Sequence, residues 1–174
     1  ARLTETPLVR DALLLLGLGK GVLSLEQYTQ LLHSPFWRGG QSEWSSRSLL
    51  DGRLRQKGFL QIRTSRLRRE AVVGDREAPS CPILAATLNG FITLLSGVDQ
   101  EESPPHDRPS SWTAPAKPSV WVERFSHWLA RLGWPGERSL TSGEYQNITA
   151  WREGLVLFAS LDKMTDRLSL ADAL

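Results

Sequence analysis

Three stripes of apolar residues, each spaced i, i+4, i+7 and i+11, constrain the fold of this chain more than any other feature. Side chains at that spacing share one face of an α-helix, so each stripe predicts a helix with one buried face. Two of the stripes carry tryptophan, which buries a large apolar area. The stripes are Leu84, Leu88, Phe91 and Leu95; Trp121, Phe125, Trp128 and Leu132; and Ile148, Trp151, Leu155 and Phe158.

Stop and start signals predict a pair of helices at the beginning of the chain. The first helix follows Thr6-Pro7, a capping residue and a proline, and ends in the glycine-rich residues 17–21. The second helix begins with a capping box formed by Ser24 and Gln27 and ends before Pro35. Because the two helices follow each other closely, we predict an αα-hairpin.

The next segment continues the helical pattern. A third helix is predicted from Ser42 to about Lys57, with Gly58 as its terminator. A minor β element is compatible with the mild alternation of residues 59–63, and helix-forming residues resume over residues 65–71. The predicted fold class is therefore all-α, a helical bundle with at most one minor β element near residues 59–63.

A proline-rich connection at residues 99–117 divides the pattern of helices. Residues 1–98 are expected to form an N-terminal helical lobe that includes the basic segment 47–69, and residues 118–174 a C-terminal helical lobe. One continuous bundle is the alternative. A helix stop, a turn and a helix start are concentrated in Gly133-Trp-Pro-Gly-Glu-Arg138 and the residues that follow it.

Composition favours a cytoplasmic globular protein. The chain has 174 residues, a net charge of +2 and a single cysteine, Cys81, for which we predict a small buried side chain. Its apolar runs are too short to cross a bilayer, so no membrane partner is expected. The chain starts at Ala1 without methionine and stops in an apparent helix start, so we expect it to be a piece of a larger protein, whose chemistry can lie outside these residues.

No pattern indicates catalysis. Gly17-Leu-Gly-Lys-Gly21 lacks the first glycine and the Ser or Thr of a phosphate-binding loop. The three histidines, His33, His106 and His127, have no Cys, Asp or Glu at metal-ligand spacing, and no serine lies in a Gly-x-Ser-x-Gly motif. We therefore predict no catalytic, cofactor or metal site and no small-molecule substrate.

Basic residues are concentrated in one segment. Between residues 47 and 69 eight cations face the single acid Asp51, and such a field attracts a polyanion with strong salt dependence. Three tryptophans outside the stripes, Trp37, Trp44 and Trp112, could stack on unpaired bases. The alternatives are a solvated helix face, packing in the core, or an interface with another domain. The candidate DNA contacts are Arg47, Arg53, Arg55, Lys57, Arg63, Arg66, Arg68, Arg69, Trp37 and Trp44.

Five stretches of the sequence resemble the middle part of the proteins in a bacterial "probable DNA repair protein" family. The similar stretches are Leu31-Leu-His-Ser-Pro-Phe-Trp-Arg-Gly39, Ser48-Leu-Leu-Asp-Gly-Arg-Leu-Arg55, Phe125 to Arg138, Glu144-Tyr-Gln146 and Phe158-Ala-Ser-Leu-Asp162. That family is similar to the AddB and RecB helicase-nucleases, with a helicase-like N-terminal part, a helical middle and a C-terminal PD-(D/E)XK nuclease domain. Neither the nucleotide-binding loop nor the nuclease motif of the family occurs in this chain.

The resemblance implies an accessory helical module of a DNA repair helicase-nuclease, which contacts DNA or braces the motor. The parent would be an ATP-dependent helicase-like exonuclease, while this chain would not itself be an enzyme. Its partners would be DNA and other domains of the parent polypeptide. The alternative is a purely structural scaffold between domains, without direct DNA contact.

Overall fold

The computed structural model describes residues 3–74, 80–97 and 111–174. Within these ranges the chain forms eight α-helices and one two-stranded sheet, so the predicted all-α class is confirmed. Short 3-10 turns cover Leu3–Glu5, Leu18–Lys20 and Ser160–Lys163. The helices are α1 Pro7–Gly17, α2 Leu25–Leu32, α3 Trp44–Gln56, α4 Thr64–Val72, α5 Pro82–Ser96, α6 Pro118–Leu132, α7 Ser142–Ala159 and α8 Leu170–Ala173; the strands are β1 Val22–Ser24 and β2 Gln61–Arg63.

The sheet joins the αα-hairpin to the basic segment. Strand β2 lies where the minor β element was predicted, and it pairs in antiparallel fashion with β1, which the sequence pattern did not indicate. Leu23 and Ile62 are opposite each other and both are buried. The phenol oxygen of Tyr28 lies 3.0 Å from the hydroxyl of Thr64, so the first turn of α4 is fixed against α2.

The helix starts that were predicted in the N-terminal part lie at or within two residues of the observed ones; helix α3, predicted from Ser42, begins at Trp44. Ser24 and Gln27 form both hydrogen bonds of the capping box of α2. Thr6 is the N-cap residue of α1 and Pro7 is its first residue, as predicted, but the side chain of Thr6 makes no capping hydrogen bond with the helix. Its hydroxyl instead donates to the carbonyl of Leu3, 2.8 Å away in the preceding turn.

The first two apolar stripes line the core, and all their members are buried except Leu95, which is half-buried. Phe91 of α5 meets Trp128 of α6 edge to face, with 5.6 Å between ring centroids. The third stripe is covered less completely, because only Ile148 is buried on α7 and its other members are half-buried against the core. Cys81 is buried as predicted, and burial together with nearby Glu43 raises the pKa of its thiol to about 11.

The two predicted lobes share this core in the structure. Helix α5 packs on α6, and α1 packs on both α6 and α7. Residues 99–110 of the proline-rich connection, which include His106, lie outside the described residues, and Ala116 pairs with Leu168 beyond them. The division into two helical lobes stays a prediction.

Two stretches of the chain meet at a site that we call the junction, formed by residues 34–40 and 132–138. The backbone N–H of Arg38 donates to the carbonyl of the last residue of α6 at 3.1 Å. The N–H of Gly39 donates to the carboxylate of Glu137, also at 3.1 Å. Two of the five stretches quoted for the family resemblance, residues 31–39 and 125–138, are therefore in direct contact.

Glycine is required at two places in the junction. Gly133 has φ +78°, and a Cβ atom there would lie 2.8 Å from the Cβ of Arg38. Gly136 has φ +99°, and a Cβ atom there would collide with the carbonyl oxygen of Pro35. Both positions need a positive φ and leave no space for a side chain, so the backbones of the two stretches lie in direct contact.

Candidate nucleic-acid interface

The basic segment 47–69 extends from α3 through β2 to α4. Of its eight cations, five are exposed, Arg68 is half-buried, and Arg47 and Arg53 lie mostly inside the protein. We call the six accessible cations the basic face. They are Arg55, Lys57, Arg63, Arg66, Arg68 and Arg69.

Arg47 does not belong to the basic face, because its side chain is fully buried. Its guanidinium donates to the carboxylate of Glu43 at 3.1 Å and to the carbonyl of Arg38 at 2.6 Å, and it lies over the ring of Trp37. Burial lowers the pKa of Arg47, while the nearby carboxylate acts in the opposite direction. Arg47 is therefore a structural residue, which corrects its assignment as a DNA contact.

Trp37 is also removed from the predicted contact set. It is buried, and its indole N–H donates to the carbonyl of Leu31 at 2.8 Å. The ring has no exposed face on which a base could stack. By contrast, Trp44 at the start of α3 is 56% exposed and stays available for stacking.

Glu43 has a role that the sequence pattern did not indicate. Its carboxylate accepts the backbone N–H groups of Ile83 at 2.6 Å and Leu84 at 2.9 Å, in the first turn of α5, besides pairing with Arg47. A carboxylate in this position satisfies amides that have no partner within the helix. Glu43 therefore holds α3 and α5 together from the inside.

Glu70 is a buried carboxylate that holds two cations of the basic face. Its carboxylate is buried, and it accepts Lys57 at 2.6 Å and Arg66 at 2.9 Å. Burial would raise the pKa of Glu70, but the hydrogen bonds from these two cations outweigh it and hold the pKa below its ordinary value. Arg53 donates to the backbone carbonyl of Glu70 and is mostly covered, so it braces the face rather than forming its surface.

Asp51 is the buried carboxylate that holds another cation of the basic face, Arg55. It accepts the hydroxyl of Thr29 at 2.6 Å and the guanidinium of Arg55 at 3.1 Å, and the imidazole of His33 lies 3.5 Å away. Burial would raise the pKa of Asp51, but these hydrogen bonds hold it below its ordinary value. Arg55 is therefore held in place while 54% of its side chain stays exposed.

The remaining cations are less engaged with protein groups. Arg68 donates to the side-chain oxygen of Asn89 on α5 at 3.0 Å. Arg63 and Arg69 are exposed and make no side-chain hydrogen bond or ion pair with another described residue. Their guanidinium groups can therefore donate two parallel hydrogen bonds to an external oxyanion without breaking a contact.

Lys20 is a cation near this surface that sequence reasoning missed. It lines, with Arg63 and Ser65, a cleft of about 480 Å³ beside the sheet. Lys20 belongs to the glycine-rich residues 17–21, which do not fit a phosphate-binding loop. Only the pairing of β1 with β2 brings it near Arg63, so no local pattern could have indicated this proximity.

Comparisons with protein-family models, with curated proteins and with solved structures find no match. Among the described residues, no three His, Cys, Asp or Glu side chains are grouped so that they could hold a metal ion. No helix in the described ranges has both the length and the apolar character needed to cross a membrane.

Proposed function

We propose that this chain is a non-catalytic helical module that contacts the DNA backbone within a larger DNA repair helicase-nuclease of the cytoplasm. The observation that supports this proposal most is the arrangement of the basic face. Six cations are accessible, whereas the carboxylates that pair with them, Asp51 and Glu70, are buried beneath. The surface therefore carries an excess of positive charge. Among the described residues, the carboxylates that pair with these cations lie beneath them and not on the outer side.

The contacts expected are those of backbone binding without sequence readout. Arginine and lysine would replace the counterions that phosphates carry in solution, so affinity would fall steeply with salt. Arg63 and Arg69 would contribute most to the affinity for DNA. Their guanidinium groups make no ion pair with another described residue, so none has to be broken on binding. Trp44, at the other end of α3 from Arg55, would add stacking on an unpaired base of a strand that extends along this helix.

The proposal is tested by neutralising the two cations that have no ion pair within the described residues. The double variant Arg63→Gln and Arg69→Gln leaves the Asp51 and Glu70 ion pairs intact. The control is Arg152→Gln with Arg167→Gln, which removes the same charge from exposed positions on α7 and after it. Fluorescence anisotropy with single-stranded and duplex DNA over a salt series measures the slope of log affinity against log salt.

We expect the basic-face variant to lower the steepness of that slope by about 0.7 per lost contact on a single strand and about 0.9 on a duplex. The control should bind like the original chain. No DNA binding at low salt, or equal slopes in both variants, would contradict DNA contact through this face.

A structural scaffold between domains is the second candidate, and one observation favours it. Helix α7 and the turn after it expose apolar side chains, with Val156 69%, Leu157 70% and Met164 84% accessible. Contiguous exposed apolar side chains are typical of surfaces that pack against another protein surface. Sedimentation analysis tests this candidate: a monomer at high concentration counts against it, whereas self-association that Leu157→Glu abolishes supports it.

A further inference from the structure

A cleft between α6 and α7 is lined mainly by aromatic and apolar side chains. Its volume is about 320 Å³, which is within the range of natural binding pockets. Its aromatic side chains are those of Trp134, Tyr145 and Trp151. Leu155, like Trp151, is a half-buried member of the third apolar stripe, so the cleft lies along the stripe that the core covers least completely.

The two indole rings of the cleft are inclined to each other. The ring centroids of Trp134 and Trp151 are 6.3 Å apart, and the ring planes meet at 60°. The indole N–H of Trp134 donates to the carbonyl of Leu8 at 3.1 Å, which fixes this ring. A planar ligand cannot stack on both indoles at once, because stacking requires parallel planes. A compact, non-planar apolar group such as the pyrrolidine ring of proline fits the angle between them better.

The polar groups of the cleft can donate hydrogen bonds to a ligand. Tyr145 and Arg152 lie two turns apart on α7, and Ser126 lies on the facing wall, on α6; all three are exposed. Their side chains make no hydrogen bond or ion pair with another described residue. The lining contains no carboxylate in the part of the chain that the structure describes. The cleft therefore presents hydroxyl donors and one positive charge, without a negative charge.

A proline-rich segment has the complementary set of groups. In the polyproline II conformation the backbone makes no internal hydrogen bonds, so its carbonyl groups stay free to accept, and proline itself has no N–H to donate. Aromatic-lined grooves bind such segments in several classes of recognition domain. A carboxylate beside the prolines would match the charge of Arg152.

We propose that this cleft binds an acidic, proline-rich peptide segment of a partner protein. Proline rings pack against Trp134 and Trp151, the hydroxyl of Tyr145 donates to a peptide carbonyl, and Arg152 pairs with an acidic side chain of the peptide. Because the polyproline II conformation exists before binding, little entropy is lost in ordering the peptide. The cleft shares no residue with the basic face, so this proposal does not depend on DNA binding.

The test uses three fluorescein-labelled peptides and fluorescence anisotropy. The first is an oligoproline with a glutamate at each end, the second has lysines in place of the glutamates, and the third has a Gly-Ser repeat between the two glutamates. We expect the acidic oligoproline to bind most tightly. The second peptide lacks the charge that pairs with Arg152, and the third lacks both the proline rings and the preformed conformation.

Variants at exposed positions of the cleft test the individual contacts. Tyr145→Ala should weaken binding of the acidic oligoproline about tenfold, and Tyr145→Phe, which removes only the hydroxyl, about fivefold. Arg152→Gln should weaken it about two- to fivefold, as expected for an exposed ion pair. Ala130→Glu places a carboxylate in the cleft and should abolish binding.

Two controls and a spectroscopic measurement locate the binding site. Leu49→Ala, at an exposed position of α3, and Arg167→Gln, at an exposed position after α7, should bind the peptide as the original chain does. In heteronuclear NMR spectra the indole N–H signal of Trp151, identified by its loss in Trp151→Phe, should shift on peptide addition. The signal of Trp44, identified in the same way, should not shift.

Three results would overturn the proposal. The first is absence of binding by the acidic oligoproline, or binding that Tyr145→Ala and Ala130→Glu leave unchanged. The second is equal or tighter binding of the lysine or Gly-Ser peptide. The third is displacement of the peptide by an oligothymidylate whose own binding Tyr145→Ala weakens, which would identify nucleic acid as the ligand of the cleft.

The outcome is independent of the test of DNA contact. Arg152→Gln should weaken peptide binding and leave DNA binding unchanged, whereas Arg63→Gln with Arg69→Gln should do the reverse. Peptide binding without DNA binding supports this proposal and contradicts the proposed function. DNA binding at the basic face without peptide binding has the opposite meaning.

Discussion

At the scale of single residues, Arg47 brings a positive charge into the core, and Glu43 is the group that balances it. The same carboxylate accepts two amides of α5, so one side chain satisfies three groups. Removing one member of a buried ion pair leaves the other charge uncompensated. Stability should therefore depend strongly on this carboxylate.

We expect Glu43→Gln to lower the free energy of unfolding by about 3 to 5 kcal/mol, because Arg47 would stay buried without its counterion. Urea unfolding followed by tryptophan fluorescence measures this change. The control is Glu123→Gln, at an exposed position of α6, for which a change within about 0.5 kcal/mol is expected. A similar small change for Glu43→Gln would show that the ion pair adds no stability.

Residue identity alone did not separate the surface arginines from the buried ones. Arg47 and Arg63 are both counted in the same basic segment, although the first is fully buried and the second exposed. The spacing of Glu43 and Arg47, four residues apart on one helix face, was an available signal of an ion pair. The contact of Glu43 with α5 had no local signal, because it joins residues about forty positions apart.

At the scale of elements, sequence signals predicted the features that depend on residues close together in the chain. The capping box of α2 and the two buried stripes depend on residues within a few turns of one another, and the structure contains them. Strand β1 was missed because its three residues lie directly between a glycine-rich turn and the capping box of α2, where the local signals indicate a helix start. Its stabilising partner is strand β2, some forty residues later along the chain.

Two glycines should respond in opposite ways to the same substitution. Gly52 lies inside α3 with open space around its α-carbon, so Gly52→Ala should raise the free energy of unfolding by about 0.5 to 1 kcal/mol. Gly136→Ala should lower it by more than about 1 kcal/mol, because of its positive φ and the collision with Pro35. Thermal unfolding of both variants side by side checks this, and a stabilising Gly136→Ala would disprove the tight fit at the junction.

At the scale of the whole molecule, the carboxylates set the response to acid. The pKa values of Asp51 and Glu70 lie below their ordinary values, since hydrogen bonds from hydroxyl and cationic groups outweigh burial. A hydrogen bond from Arg138 likewise lowers the pKa of Glu144. Asp11 acts in the opposite direction, because burial raises its pKa.

These directions predict that acid destabilises the protein. A lowered pKa in the folded state contributes stability that is complete above the unfolded value of about 4 and is lost as pH falls through the folded value. The urea midpoint should therefore stay level from pH 7 to about 5 and fall below about 4. Glu70→Gln should make that fall shallower, and a midpoint that rises between pH 5 and 3 would mean that Asp11 dominates.

The junction has a consequence for how the chain is made. The backbone N–H of Gly39 donates to the carboxylate of Glu137, which lies 98 residues later in the chain. At a synthesis rate of about 5 to 20 residues per second, that acceptor is added to the chain about 5 to 20 s after the donor. During this interval residues 34–40 have no native contact with residues 132–138 and stay exposed to solvent. The N-terminal half of the chain is therefore synthesised before the residues that cover this part of its surface.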